Sequence, residues 1–202
     1  MKRLVKVVLC LMAFAIATPM VSAQTYGLTE KEIKENRKAA EKQAKAAAKK
    51  LNKEKWIYPG ANSLEHELTN YLLATEFSGD KFEGMEETIT QAPSIRRGES
   101  EARSAAENDF VREIQIAIKG EIGELAGNAS GDYVETQVDK WSKRVAQELN
   151  GEIKRHFYIY KENPNHTFQV RVYFSRPTRG SFKNQLKSNQ EFINDIKESM
   201  DD

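Results

Sequence analysis

The chain is poor in the residues that usually carry chemistry. Its 202 positions include one cysteine, Cys10, and three histidines, His66, His156 and His166. A single thiol excludes an internal disulfide framework and a cysteine-based zinc site. Five prolines and eleven glycines exclude collagen-like composition. No apolar run reaches the ~20 residues a membrane-spanning helix needs. Neither sign of charge dominates: 31 basic residues face 30 acidic ones, a formal +1, which gives no support for nucleic-acid binding. The G-x-x-x-x-G-K-[ST], G-x-G-x-x-G and H-E-x-x-H patterns are all missing, so no reaction can be named from motifs. What remains is 39% hydrophobic, enough to build one core.

The first segment reads as an export signal. Lys2, Arg3 and Lys6 form a positive start, Leu4 to Ala17 is nearly all apolar, and Val21-Ser22-Ala23 supplies small residues for a peptidase. Residues 1–23 are therefore expected to be a signal peptide, cleaved near Ala23. The product would be exported and periplasmic or outer-membrane-associated. Cys10 lies inside the apolar stretch rather than at its end, and reads as part of that stretch rather than as an acylation site. The exported chain would then hold no thiol, which suits an oxidising compartment.

Residues 24–58 are expected to form a basic helical arm. Thr29 and Glu32 make a T-x-x-E capping box, and no Gly or Pro follows until Pro59-Gly60. Between Thr29 and Lys55 there are ten Lys/Arg and five Glu. The apolar stripe is thin: Ile33, Ala40, Ala44, Ala47, Leu51. Trp56 to Gly60 is expected to pin the arm to a body, residues 59–202, forming one α+β domain. There, a helix capped by Asn62 leads to a strand over Phe82–Gln91 and a central helix from Glu99 to Ala126. An amphipathic helix spans Asp132–Leu149. A β-hairpin follows over Arg155–Lys161 and Thr167–Ser175, and a last helix runs from Ser181 to Ser199. In the hairpin, Phe157, Ile159, Phe168, Val170, Val172 and Phe174 are expected on the core face, with Tyr158, Tyr160, Arg171 and Tyr173 opposite.

Functional candidates are few. Ser63 and His66 fall in one helical first turn, where a serine is usually a cap. Acidic residues are dispersed, and Arg176-Pro177-Thr178-Arg179-Gly180 reads as a solvated basic turn. No catalytic residue, metal or cofactor is expected. Lys42, Lys45 and Lys49 on the arm, with Tyr158, Tyr160, Arg171 and Tyr173 on the sheet, are the candidate partner-binding residues. Aromatics beside an arginine can stack against sugars or peptides.

The order of elements from Phe82 to Ser175 carries a resemblance. A strand precedes a helix opening Glu99-Ser100-Glu101-Ala102-Arg103-Ser104-Ala105-Ala106, and a second helix and a Phe-x-Ile, Val-x-Val-x-Phe hairpin follow. This is similar to the LPP-twenty lipoprotein-like domain of bacterial envelopes, a relative of which opens a flagellar assembly protein. The resemblance implies an α+β fold, with helices packed on one face of a small antiparallel sheet and here a long N-terminal helical arm. It implies a non-catalytic envelope protein acting by binding or assembly. The expected partner is an envelope protein or an anionic envelope polymer, with peripheral membrane association also open and nucleic acid excluded. The alternatives are an envelope hydrolase acting on glycan or peptide, and a small-ligand or lipid-binding module.

Overall fold

The structure is a computed structural model describing residues 29–77, 79, 81–126, 131–149, 152–189, 192 and 194. The expected signal peptide and most of the last expected helix beyond residue 189 lie outside the described residues. The element order is α1 (Glu30–Lys53), α2 (Leu64–Ala74), β1 (Phe82–Ala92), α3 (Ile95–Ala126), α4 (Gly131–Leu149), β2 (Lys154–Glu162), β3 (Phe168–Pro177) and α5 (Arg179–Ser188). The fold is α+β, with one antiparallel sheet ordered β1-β3-β2.

Helices cover both faces of this sheet, rather than the one face expected. On one side Ala40, Ala44, Ala48 and Leu51 of α1 pack with Leu64, Leu68, Tyr71 and Leu72 of α2. They enclose Phe157, Ile159 and Tyr173. On the other side Ala102 and Ala106 of α3 pack on Val170, Val172 and Phe174. The small side chains let α3 approach closely. A Cβ on Gly98 would fall 2.6 Å from Val170 Cγ2, so only glycine fits there. The second half of α3 leaves the sheet, and Phe110, Ile114, Ile118 and Ile122 join Trp141, Val145 and Phe192 in a separate helical core.

Local caps set the helix ends. Thr29 and Glu32 form the expected capping box at the start of α1. The α2 cap is Ser63 rather than Asn62: Ser63 Oγ accepts from His66 N at 3.1 Å, and Asn62 instead bonds Glu67. The central helix starts at Ile95, four residues earlier than expected, because Ser94 Oγ accepts from Arg97 N. At the end of α1, Lys55 takes a left-handed φ of 63° and Trp56 N bonds back to Leu51 O at 3.0 Å, closing the last turn.

The hairpin departs from the expected alternation. Phe157 lies opposite Tyr173, Tyr158 opposite Val172, and Ile159 opposite Arg171. Directly paired residues share a face. Hence Phe157, Ile159, Arg171 and Tyr173 face α1 and α2, while Tyr158, Tyr160, Val170 and Val172 face α3. The expected Tyr158/Tyr160/Arg171/Tyr173 surface does not exist. Its cause is the double covering: β3 is central and buried on both sides, so apolarity no longer marks one inward face.

Candidate functional site

The layer made by α1 and α2 spans β2 and β3 and reaches β1 at Gly84, where Tyr71 and Thr75 lie against the strand. On that side of β1, Gly84, Glu86, Thr88 and Thr90 are exposed. The step between the helices and the exposed part of the strand forms a cleft of about 710 Å³. Leu51, Leu68, Leu72 and Tyr71 make its apolar wall, while Lys50, Glu54, Glu76, Glu86 and Arg171 bring charge to it.

The electrostatics of the cleft follow from partial burial. Desolvation raises the Glu86 carboxyl above the usual carboxylate range, against the opposing pull of Arg171 and Lys50. Burial, with the Glu86 charge behind it, pushes the Tyr173 hydroxyl up to about 12. The Tyr71 hydroxyl is pushed up by burial first and Glu86 second. The two tyrosine hydroxyls stay neutral at physiological pH and can donate hydrogen bonds. Tyr71 closes over the strand at Gly84, where a Cβ would lie 2.3 Å from its hydroxyl oxygen.

Arg171 is held rather than offered. Its Nε donates to Thr88 Oγ1 at 3.1 Å, its Nη1 lies 3.6 Å from Glu86 Oε2, and its guanidinium is 4.7 Å from the centre of the Trp56 ring. Lys161 Nζ also lies 4.7 Å from that ring. Trp56 is 5% exposed and donates from Nε1 to Glu54 at 3.2 Å. Two cations on one desolvated indole give each a cation–π attraction. The next residue, Ile57, exchanges two backbone hydrogen bonds with Tyr160, at 2.8 and 2.9 Å. The expected anchor at Trp56 therefore sews α1 to the outer edge of β2.

The other sequence candidates separate. Tyr173 is 2% exposed and stacked on Phe157 at 4.3 Å, so it is core. Tyr158 and Tyr160 are half-buried against the α3 side. Lys42, Lys45 and Lys49 are exposed on α1, opposite its buried alanines. With Lys38 and Lys53 they step at four, three, four and four residues, a single ridge ~22 Å long. Among the described residues none of these five lysines pairs with a carboxylate.

Two arrangements escaped the sequence reading. Arg176, expected in a solvated turn, has a side chain only 10% exposed and binds Glu83 at 2.7 Å, Glu113 at 2.8 Å and Asp109 at 3.4 Å. The spacing Asp109/Glu113 on one helix face was the available signal. His156 Nε2 lies 2.9 Å from Ser175 Oγ, nineteen positions apart in sequence. A bulge between Arg155 and Phe157 brings them together. Ser175 is 3% exposed and does not line the cleft, so this contact holds the sheet rather than meeting a substrate. Among the described residues, no three His, Cys, Asp or Glu side chains are placed to hold a metal ion, and no helix is long and apolar enough to cross a membrane. Comparison with protein-family models, curated proteins and solved structures yields no match.

Proposed function

We propose that the protein is a non-catalytic, exported envelope component that works by binding, with the lysine ridge of α1 as a contact for an acidic partner. That partner is an envelope protein or an anionic envelope polymer. The observation that carries this reading is the fixed display of Lys42, Lys45 and Lys49. The capping box holds one end of α1, alanines in the shared core hold its middle, and Trp56 with Ile57 holds its far end. A preorganised row of charges loses little entropy on binding, so its attraction is not spent on ordering. Kinship with the LPP-twenty domain belongs to the same proposal; the order β1, α3, α4, β2, β3 supports it.

Deleting α1 is a poor test, because Ala40, Ala44, Ala48 and Leu51 belong to the core. Charge reversal is cleaner. The triple change Lys42→Glu, Lys45→Glu and Lys49→Glu alters only exposed side chains. Crosslinking in living cells, followed by quantitative mass spectrometry of the tagged protein, should show its main envelope partner reduced at least tenfold. Binding by the unaltered protein should weaken with added salt. Unchanged recovery of every partner would reject the ridge as a contact.

A further inference from the structure

We propose that the outer edge of β1, together with the cleft beside it, is a docking groove for an extended basic segment of a partner protein, which adds as a fourth strand to the sheet. This rests on the reading of the protein as a binding component, but uses a surface separate from the α1 ridge.

The first observation is an unprotected edge. β1 is eleven residues long and lies first in the order β1-β3-β2. An edge strand directs half its backbone N–H and C=O groups away from the sheet. Among the described residues no other strand or loop backbone pairs with that side of β1. The usual devices for blunting an edge are sparse here: Phe82–Ala92 contains no proline and no lysine, and its irregularity is confined to the stretch between Ile89 and Ala92. Its blunting charges are all acidic: Glu83, Glu86 and Glu87.

The second observation is the cleft running beside this edge. A peptide strand paired to β1 would turn alternate side chains toward the α1/α2 side, where the cleft can receive them. Leu51, Leu68 and Leu72 floor the cleft with the narrow apolar strip that their burial of nine-tenths or more leaves open, and Glu76 is there for a cation. Glu76 is exposed and has no cationic partner among the described residues. Two cations share the cleft: Arg171 is already held by Glu86, Thr88 and Trp56, and exposed Lys50 faces the Glu86 carboxyl, so the attraction for a basic side chain rests on Glu76.

Charge weighs against a second copy as the occupant, because two paired β1 strands gather six glutamates on one ribbon. Two β1 strands related by a two-fold axis normal to the sheet pair symmetrically about one residue. Centring on Met85 sets Glu83 against Glu87. Centring on Glu86 or Glu87 sets that glutamate against itself; centring on Gly84 or Thr88 avoids direct opposition but keeps the six glutamates on neighbouring positions. Directly opposed like charges are destabilising. A strand carrying Lys or Arg at alternate positions removes this penalty and gains attraction.

The test uses the protein as exported and purified, with a displayed library of random nonapeptides as probe. Peptides that bind should be enriched in Lys and Arg at alternating positions. The best of them should slow hydrogen exchange at amides within residues 82–89 that exchange fast in the free protein. Glu76→Lys should weaken its binding about fivefold, more at low salt, with unfolding temperature unchanged. If that variant does not fold, Glu76→Gln should give a smaller loss in the same direction. The proposal is overturned if no peptide is enriched, if protection falls outside β1, or if neither Glu76 variant weakens binding. It is also overturned if the outward amides are already slow in the free protein, which means the edge is occupied by its own chain or a second copy. The triple lysine reversal on α1 should leave peptide binding intact, and loss of peptide binding in that variant would likewise overturn the assignment to β1.

Discussion

The sheet has two edges, and the chain finishes them differently. At β2, Ile57 runs antiparallel to Tyr160, Trp56 fills the corner between Lys161 and Arg171, and a bulge interrupts the ladder near His156. At β1, eleven residues end the sheet without such a cover, and the helical layer on one side touches them at Gly84 while Glu86, Thr88 and Thr90 stay exposed. The difference cannot be traced to strand propensity, since both strands carry β-branched or aromatic residues. It comes from one short connection. The segment after α1 is spent on the β2 edge, and no corresponding segment reaches β1 among the described residues. Edge pairing is a resource that a small sheet can use only where chain is at hand.

The largest expected effect comes from unmaking the closed edge. Trp56→Ala removes a nearly fully buried indole and the shared platform of two cations. It should cost about 3–4 kcal/mol in urea denaturation. Amide exchange at Tyr160 should accelerate together with that of α1. If only α1 loosens while Tyr160 stays protected, Ile57 closes the edge without help from Trp56, and the account of the corner is wrong.

The attachment of the open edge gives the next effect. Arg176 ties Glu83 of β1 to Asp109 and Glu113 of α3. Arg176→Met leaves three carboxylates facing one another. A fully buried pair broken in this way costs about 3–5 kcal/mol, but these acids are 39–43% exposed, so water screens them and about 2 kcal/mol is expected. The loss should shrink as pH falls below the carboxylate range, because protonation relieves the repulsion. A loss that does not depend on pH would mean packing on Phe110, rather than charge, is what the arginine supplies.

Much of the closed edge was legible in the sequence, and little of the open one. The T-x-x-E box marked the start of α1, and an apolar cluster at Trp56–Tyr58 after a polar helix marked an anchor. Both are local patterns. Strand order is not local: nothing within Phe82–Ala92 says that it ends the sheet. The relative phase of β2 and β3 was also hidden. Period-two alternation assigns faces within a strand, but only cross-strand register joins the faces of two strands. With both faces covered, Tyr173 is as much core as Val172. The candidate set therefore split, with the three lysines left on a surface and Tyr173 taken into the interior. The Arg176 cluster showed in the sequence only as the Asp109/Glu113 spacing, and the His156–Ser175 contact not at all, since their partners are distant in sequence.

A smaller effect reports on the bulge of the closed edge through pH. Burial, assisted by Lys154 and opposed by Glu67, lowers the His156 pKa below 6.5. The folded state thus favours the neutral ring. Its contribution is complete above about pH 6.5, the unfolded value, and is lost as pH falls through the lower folded value. Denaturation midpoints measured from pH 7.5 to 5 should therefore fall on the acid side. His156→Gln, which can still reach Ser175, should flatten that part of the profile. An unchanged slope in the variant would assign the acid loss to other groups.

The smallest change expected to register is a gain. Lys55 occupies a left-handed backbone position at φ 63°, where a Cβ meets the neighbouring carbonyl, and glycine would not. The position is kept because it turns the chain sharply enough to drop Trp56 into its corner and align Ile57 with Tyr160. Lys55→Gly should relieve the strain at some cost in unfolded-state entropy, for a net stabilisation of about 0.5 kcal/mol. Slower exchange at Tyr160 should accompany it if the turn is what tightens the closed edge. The β1 amides supply the internal control: they should change less, because the turn reaches that rim only through Arg171, which packs on Trp56 and bonds Thr88 and Glu86. Equal slowing at both rims would mean that the sheet opens as one cooperative unit and that its edges differ in geometry but not in local stability.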